Sequence, residues 1–190
     1  MGQASSLMLQ PEEVSEIKQQ TGFTENQIVR LYSRFVNLDK RQRGYLGRED
    51  LLRIPELAIN PLGDRIVDAF YILEGSEDRL NFRQFIHVLA RFRPTSKRKE
   101  NRLNSRQDKL NFAFSMYDLN GNGFITCDEF EDILSMMVGA NITKEQLASI
   151  AQRTIAEADL DGDGKLSFEE FCKAMEKTDI EQKMSIRFLD

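Results

Sequence analysis

The chain has 190 residues, 41% of them hydrophobic, which suffices for one large domain or two small ones with a real core. A formal net charge of −5 argues against a nucleic-acid partner, because neutralising phosphates needs a surplus of Lys and Arg on one face. No apolar run approaches the roughly 20 residues that span a bilayer, and Cys127 and Cys172, far apart and with no secretory segment upstream, point to a reducing, cytosolic setting without a disulfide framework.

The chain starts MGQASS, which fits the rule for N-myristoylation, with Gly2 as acceptor after removal of Met1 and Ser6 as the required hydroxyl residue. So short a motif also occurs by chance. One acyl chain gives marginal, reversible membrane binding, and only Lys18 adds a positive charge in this region. A membrane address would therefore need a second anchor, such as a membrane-protein partner, unless the acyl group is buried in the fold.

Beyond this segment (1–22), four helix–loop–helix units follow in two pairs. The first helix is expected at Thr24, whose hydroxyl forms a capping box with Gln27, ahead of an apolar stripe of Ile28, Leu31, Tyr32 and Phe35. Pro55 and Pro61 interrupt the helical pattern before the second unit, which sets Ile66, Val67 and Phe70 before an acidic turn and Phe82, Phe85, Ile86, Leu89 and Phe92 after it. Together these make an N-terminal lobe over 23–93. The stretch 94–108, PTSKRKENRLNSRQD, has almost no apolar residues and reads as a linker; its basic cluster is a solvated face or a docking or nuclear-targeting patch.

A C-terminal lobe over 109–176 opens with Leu110, Ala113, Phe114 and Tyr117 and continues through Phe130, Ile133, Leu134 and Met137. A second capping box, Thr143 with Gln146, precedes Leu147, Ile150, Ala151 and Ile155, and Phe168, Phe171, Ala174 and Met175 follow. The tail 177–190 ends in MSIRFL, whose Met184, Ile186, Phe188 and Leu189 could fold over a groove or a partner.

The metal chemistry lies in the second pair. In DLNGNGFITCDE, Asp118, Asn120 and Asn122 stand at loop positions one, three and five, with Gly123 at the turn, the carbonyl of Phe124 at seven and Glu129 at twelve. A calcium ion takes six to eight oxygens, so alternate side chains of a tight loop reach inward and a final Glu closes the sphere with both oxygens. DLDGDGKLSFEE repeats this with Asp159, Asp161, Asp163, the carbonyl of Lys165, Ser167 at position nine and Glu170. Two calcium ions are expected. The fourth loop carries four ionised ligands against two in the third, so it is expected to bind more tightly. Ile125 and Leu166 at position eight are expected to pair through a short ribbon that makes binding cooperative.

The first pair fails on the same chemistry. DKRQRGYLGRED keeps Asp39, Gly44 and Leu46 but puts Arg41 and Arg43 at ligand positions, with Asp50 short for bidentate closure. LEGSEDRLNFRQ keeps Leu80 but closes on Gln84. The fold class is therefore all-α, four EF-hand helix–loop–helix units in two lobes with short β-ribbons pairing the loops, the first two folded without metal.

TGFTENQIVRLYSRF, RIPELAINPLGDRI, LNSRQDKLNFAFSMYDL, MMVGANIT and EQKMSIRFL resemble the calcineurin B homologous proteins along nearly the whole chain. The resemblance implies a cofactor of plasma-membrane sodium/proton exchangers that holds an amphipathic cytoplasmic helix in a hydrophobic groove. Such a cofactor supports the exchanger's trafficking, stability and pH response. It also implies a myristoyl group at Gly2, inhibition of the calcineurin phosphatase, and a monomer or heterodimer in the cytoplasm and at plasma and internal membranes. One departure is the linker, short and basic here where that family has a longer acidic, Pro-rich stretch. Met136 and Met137 suit adaptable capture of a helix, although apolar residues at helical spacing more often face a core. FEDILSMMV has the spacing of a nuclear export signal, which is also the spacing of a core helix.

An enzyme is not supported: His87, the single histidine, lies on an apolar helix face, and no nucleophile has a base nearby. A free-standing calcium buffer would need neither groove nor tail. The rival reading is a phosphatase regulatory subunit in the manner of calcineurin B; the two inactive loops rank it second on sequence grounds.

Overall fold

The computed structural model describes residues 9–93 and 103–179. Gly2, the basic centre of the linker and the MSIRFL tail lie outside them.

Helix α1 (Pro11–Thr21) comes before the helix expected to be first. Its stripe is thin, with only Ile17 and Thr21 buried, so periodicity alone does not reveal it. It is held by tertiary contacts with α6 (Phe82–Ala90): Arg83 pairs with Glu16 at 2.6 Å, and His87 Nε2 lies 3.0 Å from Gln20 Oε1. His87 is thus a packing residue, as its apolar setting implies. Gly22, at φ 70°, ends α1 in the left-handed conformation that glycine adopts at little cost.

Helix α2 (Glu25–Leu38) starts at the expected capping box, with Thr24 Oγ1 accepting from the Gln27 N–H at 3.3 Å, and buries Ile28, Leu31 and Phe35. After strand β1 (Tyr45–Leu46), helices α3 (Arg48–Leu51) and α4 (Pro55–Ala58) are short, cut by the proline that opens α4. Helix α5 (Gly63–Leu73) begins where a Cβ on Gly63 would stand 2.2 Å from the Leu57 carbonyl oxygen. Strand β2 (Leu80–Asn81) pairs antiparallel with β1, Leu46 opposite Leu80, and leads into α6.

The polar stretch expected to run to Asp108 ends sooner. Ser105 Oγ accepts from the Asp108 N–H at 3.1 Å, and helix α7 (Arg106–Tyr117) follows, because this cap starts a helix where apolar spacing gives no signal. Strand β3 (Phe124–Thr126), helix α8 (Cys127–Val138), a short 3₁₀ turn, helix α9 (Lys144–Ala158), strand β4 (Lys165–Ser167) and helix α10 (Phe168–Ala174) complete the described chain.

Two cores form, and α7 belongs to both. Phe112 joins the N-terminal core, where its ring meets Phe92 at 4.9 Å and Phe70 at 5.9 Å. Leu110 and Phe114 face the C-terminal core with Ile125, Ile155, Leu166 and Phe171. A helix with apolar residues on opposite sides is buried between two bodies rather than laid on one. Charged side chains finish the joint at helix ends, where carbonyls lack partners within the helix. Lys109, fully buried, donates from Nζ to the carbonyls of Arg91 (2.8 Å) and Arg93 (3.2 Å) beyond α6. Arg106 donates to the Met175 carbonyl at 2.8 Å beyond α10. Arg65 of α5 donates to Ser115 (3.1 Å) and Met116 (3.3 Å) at the end of α7.

Met137 and Ile150, expected on core stripes, are 50% and 44% exposed, and Met136 is 44% exposed. Ala174 is exposed as well. Helical spacing marks an apolar face but does not say whether protein covers it. Among the described residues no helix is long and apolar enough to cross a membrane.

Candidate metal centre

Both C-terminal loops are built on one plan. Asp118 caps α7, and its two oxygens accept from the N–H groups of Asn122 (3.1 Å) and Gly123 (2.8 Å). Asp159 caps α9 and accepts from Gly162 and Gly164, each at 2.7 Å. At positions three and five, Asn120 accepts from Asn122 N–H at 2.9 Å and Asn122 from Phe124 N–H at 2.9 Å. Asp161 and Asp163 accept likewise from Asp163 (3.1 Å) and Lys165 (2.8 Å). Each inward carboxylate or amide is therefore aimed by backbone donors of its own loop. Gly123 and Gly164 turn the chain at φ 86° and 80°.

The closing glutamates serve two purposes. Glu129 Oε2 accepts from Thr126 N–H at 2.9 Å and Oε1 from Leu119 N–H at 3.1 Å, so one residue caps α8 and reaches back across the loop. Glu170 does the same with Ser167 N–H (2.9 Å) and Leu160 N–H (2.7 Å). Hydrogen bonds from Ser167 and from the Leu160 backbone pull the Glu170 pKa down to about 2, which keeps it ionised. Asp161 goes the other way. The hydrogen bond from the Asp163 backbone, its largest single influence, lowers its pKa, but desolvation and the charges of Asp163, Glu170 and Asp159 together raise it.

The donor set fits a hard divalent cation. Asp159, Asp161 and Glu170 offer carboxylate oxygens that all lie within 4.8 Å of one another, a crowding that a bound cation relieves. In the third loop Asp118, Asn120, Asn122 and Glu129 hold the same positions with two carboxylates and two amides. Antiparallel β3 and β4 join the loops with Ile125 opposite Leu166, as position eight implies. Ligand positions alone do not reveal the part played by Thr126. Its hydroxyl donates to Glu129 Oε2 at 2.9 Å as Ser167 does to Glu170 at 2.8 Å, and the Thr–x–x–Glu capping pattern is the signal that could have found it.

In the first loop Asp39 and Asp50 are 4% and 3% exposed, and Arg43 forms ion pairs with both. Arg41 turns outward to Glu49 at 3.8 Å.

The sequence pattern of an EF-hand domain pair matches residues 107–176, the unit that carries both complete loops. The chain is 45% identical over 179 residues to the calcineurin B subunit of Naegleria gruberi, covering 94% of this chain and 96% of that one. It is 40% identical over 182 residues to the type 2 calcineurin B subunit of Dictyostelium discoideum, covering 95% and 94%. The chain belongs to the calcineurin B family. This family of regulatory, non-catalytic EF-hand subunits puts the phosphatase reading ahead of the exchanger reading and reverses the order drawn from the inactive loops. A loop that has lost its ligands is a local change, whereas the similarity extends over both lobes.

Proposed function

We propose that the protein is the calcium-binding regulatory subunit of a calcineurin-type protein phosphatase. Near-full-length similarity to calcineurin B subunits carries this reading. Asp118, Asn120, Asn122, the Phe124 carbonyl and Glu129 would hold one calcium ion; Asp159, Asp161, Asp163, the Lys165 carbonyl and Glu170 would hold a second. Bound calcium would supply charge neutralisation and a fixed angle between the helices flanking each loop.

The partner segment is an amphipathic helix of the catalytic subunit. Exposed Met136 and Met137 on α8 and Ile150 on α9 supply soft apolar surface of the kind that takes such a helix. Myristoylation at Gly2 would add a reversible membrane contact and place a cytoplasmic protein at membrane surfaces.

An exchanger-helix holder is the second reading, favoured by one observation: Arg43 stands between the carboxylates of the first loop, so this lobe lacks a calcium switch. Calorimetric titration separates the two. A peptide of the phosphatase catalytic subunit's amphipathic helix and a peptide of an exchanger's juxtamembrane helix are each titrated into the full chain with calcium and with chelator. Tight one-to-one binding of the phosphatase peptide alone supports the proposal, and preference for the exchanger peptide overturns it.

A further inference from the structure

The first loop has lost its ligands at positions three and five yet keeps the backbone of the two complete loops. Gly44 sits at φ 79° where Gly123 and Gly164 sit at 86° and 80°. Two residues earlier, Gly121 and Gly162 are left-handed at φ 70° and 78°; the first loop has Gln42 there, at φ 51°. A residue with a Cβ is strained in that region, and such strain persists where its surroundings hold it. Asp39 Oδ2 accepts from Gly44 N–H at 2.7 Å, as Asp118 does from Gly123 and Asp159 from Gly164. Asp50 Oδ2 accepts from Gly47 N–H at 3.0 Å, in the manner of Glu129 from Thr126 and Glu170 from Ser167.

Into this frame the side chain at position five sends a cation. The Arg43 guanidinium hydrogen-bonds Asp50 Oδ2, and its Nε faces Asp39 Oδ1 at 3.9 Å. That Asp39 oxygen is buried and accepts no hydrogen bond among the described residues. Arg53 reaches Asp50 from outside at 3.4 Å, and the Arg43 guanidinium lies over the Tyr45 ring at 4.6 Å. Two buried carboxylates need a counter-charge to remain ionised. Calcium supplies it in the third and fourth loops under the proposed function.

We propose that the guanidinium of Arg43 is the resident cation of the first loop, a covalently attached substitute for calcium that holds this loop in the loaded conformation at every calcium concentration. A tethered cation does not dissociate, so the N-terminal lobe keeps its form while the C-terminal loops fill and empty. This property belongs to the first loop alone and stands apart from which partner the protein serves.

Hydrogen exchange on the full wild-type chain gives the first test. Removal of calcium by chelator should leave the Gly44 and Gly47 amides as protected as before, while those of Gly123 and Gly164 exchange faster. Loss of protection at Gly44 in parallel with Gly123 overturns the proposal.

The second test is Arg43→Asn, which puts the residue type of Asn122 at position five. Its Gly44 amide should exchange faster than in the wild type both with calcium and with chelator, because Arg41 at position three and the short Asp50 keep an ion from taking the place of the lost guanidinium. Arg43→Lys, which keeps a charge, should retain the wild-type protection at Gly44. A folded Arg43→Asn chain whose Gly44 amide stays as protected as in the wild type overturns the proposal; should that variant fail to fold, the wild-type exchange result decides.

Discussion

Ile125 lies directly opposite Leu166 in the antiparallel ribbon between the two complete loops, and both side chains belong to the C-terminal core, 1% and 4% exposed. Any shift of one loop's backbone on binding therefore passes to the other through paired strands. Ile125→Ala should cost about 2–5 kcal/mol of C-terminal lobe stability, as expected for a truncated core residue. In the folded variant the calcium isotherm should lose cooperativity, its Hill coefficient falling toward one. An isotherm as steep as wild type would show that the ribbon does not couple the loops.

The two closing glutamates should differ in weight. Four ionised ligands surround the fourth loop and two the third, so Glu170→Gln should remove the tighter of the two calcium affinities and Glu129→Gln the weaker. Calorimetry on both variants measures this directly; a smaller loss with Glu170→Gln than with Glu129→Gln would contradict the ranking.

Lys109 gives a test of the joint between the lobes. Replacing it by Met keeps an unbranched side chain, one atom shorter, but strips the Arg91 and Arg93 carbonyls of their donor. Buried acceptors left without partners cost about 1–3 kcal/mol, so denaturant unfolding of Lys109→Met should shift downward by that amount. Unchanged stability would mean that relief of the buried charge offsets the lost bonds.

Alkaline stability should carry the signature of Tyr71. Burial pushes its phenol up to about 12, and the hydroxyl has no hydrogen-bond partner among the described residues. The folded pKa is raised above the unfolded value of about 10, so the neutral phenol is no burden below that pH. Between about pH 10 and 12 the unfolded chain releases a proton that the folded one keeps, and stability falls. Burial raises Tyr32 and Tyr117 as well, so the contribution of Tyr71 is isolated by variant. Tyr71→Phe should flatten part of the loss and leave neutral-pH stability intact; an identical alkaline profile would refute this.

Much of the fold was legible because local chemistry fixed it. The capping boxes at Thr24 and Thr143 start α2 and α9 where the residue pattern puts them, and the apolar position-eight residues pair in both lobes. What escaped was tertiary. Helix α1 lacks a broad apolar stripe and is held by Glu16, Ile17 and Gln20 against α6. Met136, Met137 and Ile150 follow the spacing of a core but lie on the surface. In the site, ligand types and order were readable, whereas the return of Arg43 into its own loop depends on side-chain direction that spacing does not encode.

The sharing of α7 between two cores bears on what counts as a separable piece of this protein. A protease that cut anywhere in residues 94–102 would leave the N-terminal fragment without Phe112, against which Phe70 and Phe92 pack, and without the Lys109 ammonium beyond α6. The other fragment would carry an aromatic side chain with no pocket to fill. Such fragments would remain noncovalent partners of each other, a nicked but assembled molecule rather than two independent modules.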